Sequence, residues 1–118
     1  MPAKSEVAYA AGLFEGEGSV CLSRSYWGRQ GKQARRTPQI RLAMAQVDRE
    51  PLDRLASVFG GRIIGPYAGS KPNWSHKYYW YLHGLVLVQA ATAAMWSWLS
   101  IRRQAQLSEA LQEVRHPS

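Results

Sequence analysis

Residues 10–18 read Ala10-Ala11-Gly12-Leu13-Phe14-Glu15-Gly16-Glu17-Gly18 and run straight into Ser19-Val20-Cys21-Leu22. Small residues and two carboxylates give way to alternation, the pattern of a helix that stops on an acidic turn and enters a strand. A glycine in a helix interior costs about 1 kcal/mol relative to alanine, so Gly12 and Gly16 call for a compensating role. Ala8, Gly12 and Gly16 recur every fourth residue and share one helical face, which lets a second backbone come unusually near. Glu17 falls at the foot of that contact, where a carboxylate would meet its symmetry mate.

Working outward, Ser5 is placed to cap a helix that starts at Glu6 and runs to about Gly16. Residues 19–27 alternate, with Val20 and Leu22 on one side and Ser19, Cys21, Ser23, Ser25 and Trp27 on the other. Such a period predicts a strand with one covered face. A basic, glycine-containing loop occupies 28–37, and a second strand spans 38–46 with Ile40, Leu42 and Met44 inward. Asp48 is read as the cap of a short helix whose Leu52, Leu55, Ala56 and Phe59 form one stripe, ended by Gly60-Gly61. A brief third strand falls within 61–68, a turn-rich stretch follows to Asn73, and a fourth strand covers 75–83. Helical patterning occupies 85–99 and again 101–115. Trp80, Trp96 and Trp98 are assigned to the core. The order α-β-β-α-β-β-α-α, with helices covering one face of four strands, defines an α+β fold.

The chain has 118 residues and 46% hydrophobic content, enough for a single domain over 1–118. Lysine and arginine total 15 against 8 acids, a net charge of +7 and a pI near 10.0. That balance, with aromatics interleaved, favours a nucleic acid over an anionic membrane surface. Cys21 is the sole cysteine, which excludes an intrachain disulfide and a thiolate metal site. His76, His83 and His116 lack metal-ligand spacing, and His83 reads as a strand-end side chain. Residues 84–101 carry no charge, but Gln89, Thr92, Ser97 and Ser100 interrupt them, and a buried core helix accounts for them better than a membrane span. No charged-then-apolar leader is visible at the start. The expectation is an intracellular protein, cytoplasmic or nucleoid-associated, with no membrane partner.

The 10–18 segment resembles the signature of the LAGLIDADG homing endonucleases, with Ala10 for its leading leucine and Glu15 and Glu17 for its two aspartates. The resemblance extends over nearly the whole chain. Tyr79-Trp80-Tyr81-Leu82-His83-Gly84 is similar to that family's fourth-strand ending, Arg102-Arg103-Gln104-Ala105 to the basic opening of its terminal helix, and Ala45–Glu50 to the approach to its second helix. Val47 departs from the lysine often found there. The resemblance implies an αββαββα fold with a four-stranded antiparallel DNA-binding sheet. It implies that Glu17 binds the catalytic divalent metal, Mg²⁺ or another, that Gln46 orients the hydrolytic water, and that Arg102 or Arg103 stabilises the scissile phosphate. A second acidic glycine-rich helix is absent from the sequence, so one motif per chain implies a homodimer with Ala8, Gly12 and Gly16 at its two-fold axis.

Phosphodiester hydrolysis needs an activated water and neutralisation of charge on the phosphate, which divalent cations provide. Hard Mg²⁺ takes carboxylate and water oxygens, consistent with Glu17. Glu15 lies about 200° away around an ideal helix and is read as structural or solvent-facing. Parity places Ser19, Cys21, Ser23, Ser25 and Trp27, then Gln39 and Arg41, then Lys77, Tyr79 and Tyr81 on the face opposite the helices, with Arg62 a looser member. A twisted sheet fits the major groove, where arginine and glutamine read guanine and adenine. Arg29, Lys32, Arg35 and Arg36 suit phosphate contacts, which fix register without reading sequence. The expected function is a site-specific, metal-dependent endonuclease acting as a homodimer on a long, pseudo-palindromic duplex. The alternatives are a non-catalytic DNA-binding regulator of the same fold and an RNA-binding maturase.

Overall fold

The computed structural model describes residues 2–27, 35–67 and 76–116. The chain forms α1 (Lys4–Glu17), β1 (Ser19–Trp27), β2 (Arg35–Gln46), α2 (Glu50–Phe59), β3 (Arg62–Tyr67), β4 (Lys77–His83), α3 (Leu85–Met95), a 3₁₀ turn (Trp96–Trp98) and α4 (Ile101–Arg115). The strands make one antiparallel sheet in the order β1-β2-β4-β3. This is the α+β architecture expected from the sequence.

Because side chains alternate along a strand, register fixes the two faces of the sheet. Ile40 pairs with Leu22, Leu42 with Val20 and Leu82, and Met44 with Trp80. These side chains meet the helices. Ile40, Leu42, Met44, Trp80 and Leu82 are buried with Phe14 of α1, Leu52 and Leu55 of α2, Val88 and Met95 of α3 and Leu107 and Leu111 of α4. Each such large apolar side chain contributes roughly 1.5–3 kcal/mol on leaving water. Trp80 satisfies its one polar group by donating Nε1–H to the Gly60 carbonyl at 2.8 Å. That carbonyl sits where Gly60 and Gly61, both at positive φ, end α2.

Several local expectations are corrected. α1 begins at Lys4, and Ala3 rather than Ser5 is the capping residue, its carbonyl accepting from Glu6 N and Val7 N. Asp48 lies in the turn before α2. Arg49 holds the N-cap, and Pro51 in the first turn lacks only an N–H that would have had no helical partner. β2 starts at Arg35, so Arg35 and Arg36 belong to a strand, with backbones paired to Trp27 and Tyr26, and not to the preceding loop. α3 ends at Met95, and the 3₁₀ turn swings Trp96 and Trp98 to 39% and 38% exposure while Leu99 takes the buried place. Leu22 is 41% exposed, because β1 is an edge strand that the helices cover incompletely. Among the described residues no helix is long and apolar enough to cross a membrane.

Candidate functional site

Two features of the structure can carry function. One is the sheet face turned away from the helices, and the other is the C-terminal end of α1. On the open face β2 offers Gln39, Arg41, Ala43 and Ala45, and β4 offers Lys77, Tyr79, Tyr81 and His83. Their cross-strand partners are Ser23, Cys21 and Ser19 on β1 and Arg62 and Ile64 on β3. Ser19, Cys21, Ser23, Gln39, Arg41, Arg62, Lys77, Tyr79 and Tyr81 therefore share the face that parity assigned to them. Ser25 and Trp27 hold the same register on β1, opposite Thr37 and Arg35. Arg29 and Lys32 lie outside the described residues.

An aromatic column runs down this face. Tyr67 and Tyr79 rings are 6.1 Å apart, Tyr79 and Tyr81 are parallel at 6.2 Å, and Tyr81 and His83 are 6.0 Å apart. The Arg41 guanidinium sits 4.6 Å from the Tyr81 ring centre, within cation–π range. His83 and Tyr67 were not assigned to the face from sequence. The Lys77-Tyr79-Tyr81 parity extends to His83 and was sufficient to find it. Tyr67 was beyond such reasoning, because the β3–β4 register shifts between Ile64 and Tyr67 and breaks the period of two.

Charge follows the same division. The four strands carry Arg24, Arg35, Arg36, Arg41, Arg62 and Lys77 and no carboxylate. All eight acids lie on the helices or, for Asp48, in the turn before α2. Among the strand cations whose side chains are described, Arg41, Arg62 and Lys77 hold the open-face register.

At the other feature, Gly12 and Gly16 are exposed and Ala8 is half-buried. A Cβ built on either glycine meets nothing within 4 Å. Packing among the described residues therefore does not require these glycines. Flanking them, Arg54 ties α2 to α1 through two bonds to the Glu6 carboxylate, at 3.2 and 3.0 Å, and stacks 3.5 Å from the Tyr9 ring. The Glu6 carboxylate raises the Arg54 pKa above its usual value.

The two glutamates of the motif differ. Glu15 accepts bonds from Ser100 N at 2.8 Å and Ser100 Oγ at 2.9 Å. The backbone bond, foremost, and the hydroxyl bond, with Arg103 and Arg102 nearby, pull its pKa below the ordinary carboxylate value, although desolvation opposes them. Glu17 is exposed, and its carboxylate has no hydrogen bond or ion pair among the described residues. The two arginines differ as sharply. Arg103 is 5% exposed and donates from Nη2 to the carbonyls of Phe14, Glu15 and Gly18 at 3.2, 2.9 and 3.0 Å. Arg102 keeps 72% of its side chain in solvent, with Nη2 4.0 Å from Glu15. Gln46 is half-buried at the end of β2, opposite Tyr78. No cluster of three or more His, Cys, Asp or Glu side chains that could hold a metal occurs among the described residues. A divalent cation would draw on one exposed carboxylate per chain. That hard, unpaired oxygen donor suits Mg²⁺, which keeps several waters and shares substrate phosphates.

No family model matches the sequence, and no curated protein does. Solved structures do match in fold. I-CvuI, a homing endonuclease in complex with its target in the presence of Ca, is 15% identical with a TM-score of 0.66, covering 95% of this chain and 67% of that one. The group I intron-encoded homing endonuclease I-CeuI, complexed with DNA, is 15% identical with a TM-score of 0.63, covering 98% and 57%. The archaeal intron-encoded homing endonuclease I-Vdi141I, complexed with DNA, is 18% identical with a TM-score of 0.66, covering 96% and 70%. The chain thus spans between 57% and 70% of these neighbours' lengths.

Proposed function

We propose that this chain, which has the LAGLIDADG homing-endonuclease fold, is a site-specific, divalent-metal-dependent DNA endonuclease that works as a homodimer on a pseudo-palindromic duplex. The observation that carries the reading is the pairing, on one helix, of an open glycine face with a Glu17 carboxylate at its foot that has no partner among the described residues. Two copies of α1 meeting through Ala8, Gly12 and Gly16 would bring two such carboxylates together. Repulsion between them would be relieved by divalent cations lying beneath and shared with the duplex phosphates, which couples metal, DNA and dimer.

Within that arrangement Glu17 of each copy would hold the metal. Bound Mg²⁺ supplies a water of lowered pKa and charge neutralisation at the phosphate. Gln46, ending β2, would orient the attacking water through its amide. Arg102, exposed at the start of α4, is the cation available to a scissile phosphate. Arg103 has its Nη2 engaged on α1 carbonyls and is not free for that role. The open face would lie in the major groove, with Gln39 and Arg41 offering bidentate contacts to adenine and guanine and Tyr67, Tyr79, Tyr81 and Ile64 offering apolar surface to thymine methyls. Arg29, Lys32, Arg35 and Arg36 would bind phosphates.

The test is incubation of the protein with a randomised duplex library and Mg²⁺, followed by sequencing of cut ends. Double-strand breaks at one two-fold-related motif, lost in Glu17→Gln while binding persists, are expected. Retention of a motif by wild-type protein without any break would instead make the chain a DNA-binding regulator.

A further inference from the structure

α1 and α4 cap each other. A helix leaves its last carbonyls and first amides without helical partners, and here α4 donates to the end of α1, where Phe14 O also accepts from Gly18 N, while α1 accepts from the start of α4. From α4, Arg103 Nη2 donates to the carbonyls of Phe14, Glu15 and Gly18, while Nη1 is anchored on Gln106 Oε1 at 2.6 Å. From α1, the Glu15 carboxylate accepts both Ser100 N–H and Ser100 Oγ–H, and the same Oγ accepts from Arg103 N at 3.1 Å. The guanidinium also lies 5.0 Å from the Phe14 ring. A Cβ on Gly18 would come within 2.3 Å of that ring, so the turn is closed on its other side as well.

The carbonyls of Glu15 and Gly18 bracket Glu17, so the backbone of Glu17 is held on both sides while its side chain stays exposed, with no partner among the described residues. We propose that Arg103 is a positioning residue for Glu17, fixing the last turn of α1 so that the carboxylate projects at one place in each copy. Glu15 is its counterpart, a capping carboxylate and not a ligand. The purpose of that positioning rests on the nuclease reading.

Removing a group that orients a metal ligand typically weakens metal affinity about 10–100-fold. The probe is Mn²⁺, titrated by electron paramagnetic resonance into the protein bound to a selected duplex. Wild type, Glu17→Gln, Arg103→Lys and Glu15→Gln are compared, with duplex affinity in metal-free buffer and the thermal midpoint recorded for each. Arg103→Lys keeps a buried cation, and Glu15→Gln loosens the same junction from its exposed side should the lysine variant fail to fold. The expected result is a Mn²⁺ site that Glu17→Gln abolishes. Its half-saturation rises about tenfold or more in Arg103→Lys or Glu15→Gln at unchanged duplex affinity. A merely structural role would lower the thermal midpoint and leave half-saturation where it was. A Glu17-dependent site with unchanged half-saturation in the folded variants overturns the positioning role alone. A wild-type complex with no Glu17-dependent site overturns that role together with the nuclease reading.

Discussion

Arg102 and Arg103 are neighbours separated by 100° around α4, and that angle puts one in solvent and the other beneath α1. Arg102→Ala is expected to slow strand cutting about 100-fold, the scale of one lost charge-stabilising donor, with the thermal midpoint unmoved. Arg103→Met removes a donor from the Phe14, Glu15 and Gly18 carbonyls, of which Phe14 O keeps Gly18 N, and is expected to destabilise the fold by about 1–3 kcal/mol, read by chemical denaturation. The lowered pKa of Glu15 gives a pH signature. Its stabilising effect is fully present above the unfolded value of 4.5 and is lost as pH falls through the lower folded value. Glu15→Gln should therefore lower the thermal midpoint at neutral pH and converge with wild type in acid, as parallel melts across pH would record. The sequence left the choice between the two arginines open. Helix phase says that they point apart, and only the packing of α4 against α1 says which points inward. The place of Glu17 at the end of α1 was legible because its motif is local, and the capping role of Glu15 was not, because Ser100 lies 85 residues away.

α1 shows how far an element can be read from its own residues. The every-fourth-residue small face was visible in sequence, and the structure leaves it uncovered at Gly12 and Gly16. Gly12→Ala adds a methyl into open space and should stabilise the isolated chain by about 1 kcal/mol through helix propensity, whereas Gly12→Leu should leave the chain folded yet prevent self-association. Thermal melts at low concentration and sedimentation at high concentration separate these two effects. Gly18→Ala should act in the opposite direction, since its Cβ would fall within van der Waals radius of the Phe14 ring. The strands were legible because a period of two fixes both faces once one residue is placed. Their failures are local: the shifted register near Tyr67 and the edge position of Leu22. Helix starts were misread at Ser5 and Asp48, where backbone carbonyls and a proline do the work of a side-chain cap. Trp96 and Trp98 were assigned to the core within a helix expected over 85–99, but α3 stops at Met95 and the tighter turn carries them outward.

Across the whole molecule, acids lie on the helix side or in its turn and the strands hold cations alone. If 6–10 of those cations in a complex meet phosphates, affinity should fall about 1,000-fold or more between 50 and 200 mM salt, a slope that fluorescence anisotropy on a labelled duplex measures directly. Self-association matters more, because one chain offers one exposed carboxylate at the helix end and a cation shared with a duplex needs more donors than that. The mass of the complex on its selected duplex, by light scattering after size exclusion, tests this dependence most directly. Two chains per duplex are expected for wild type, with the pair lost in Gly12→Leu. One wild-type chain per duplex, cutting both strands or none, would contradict it.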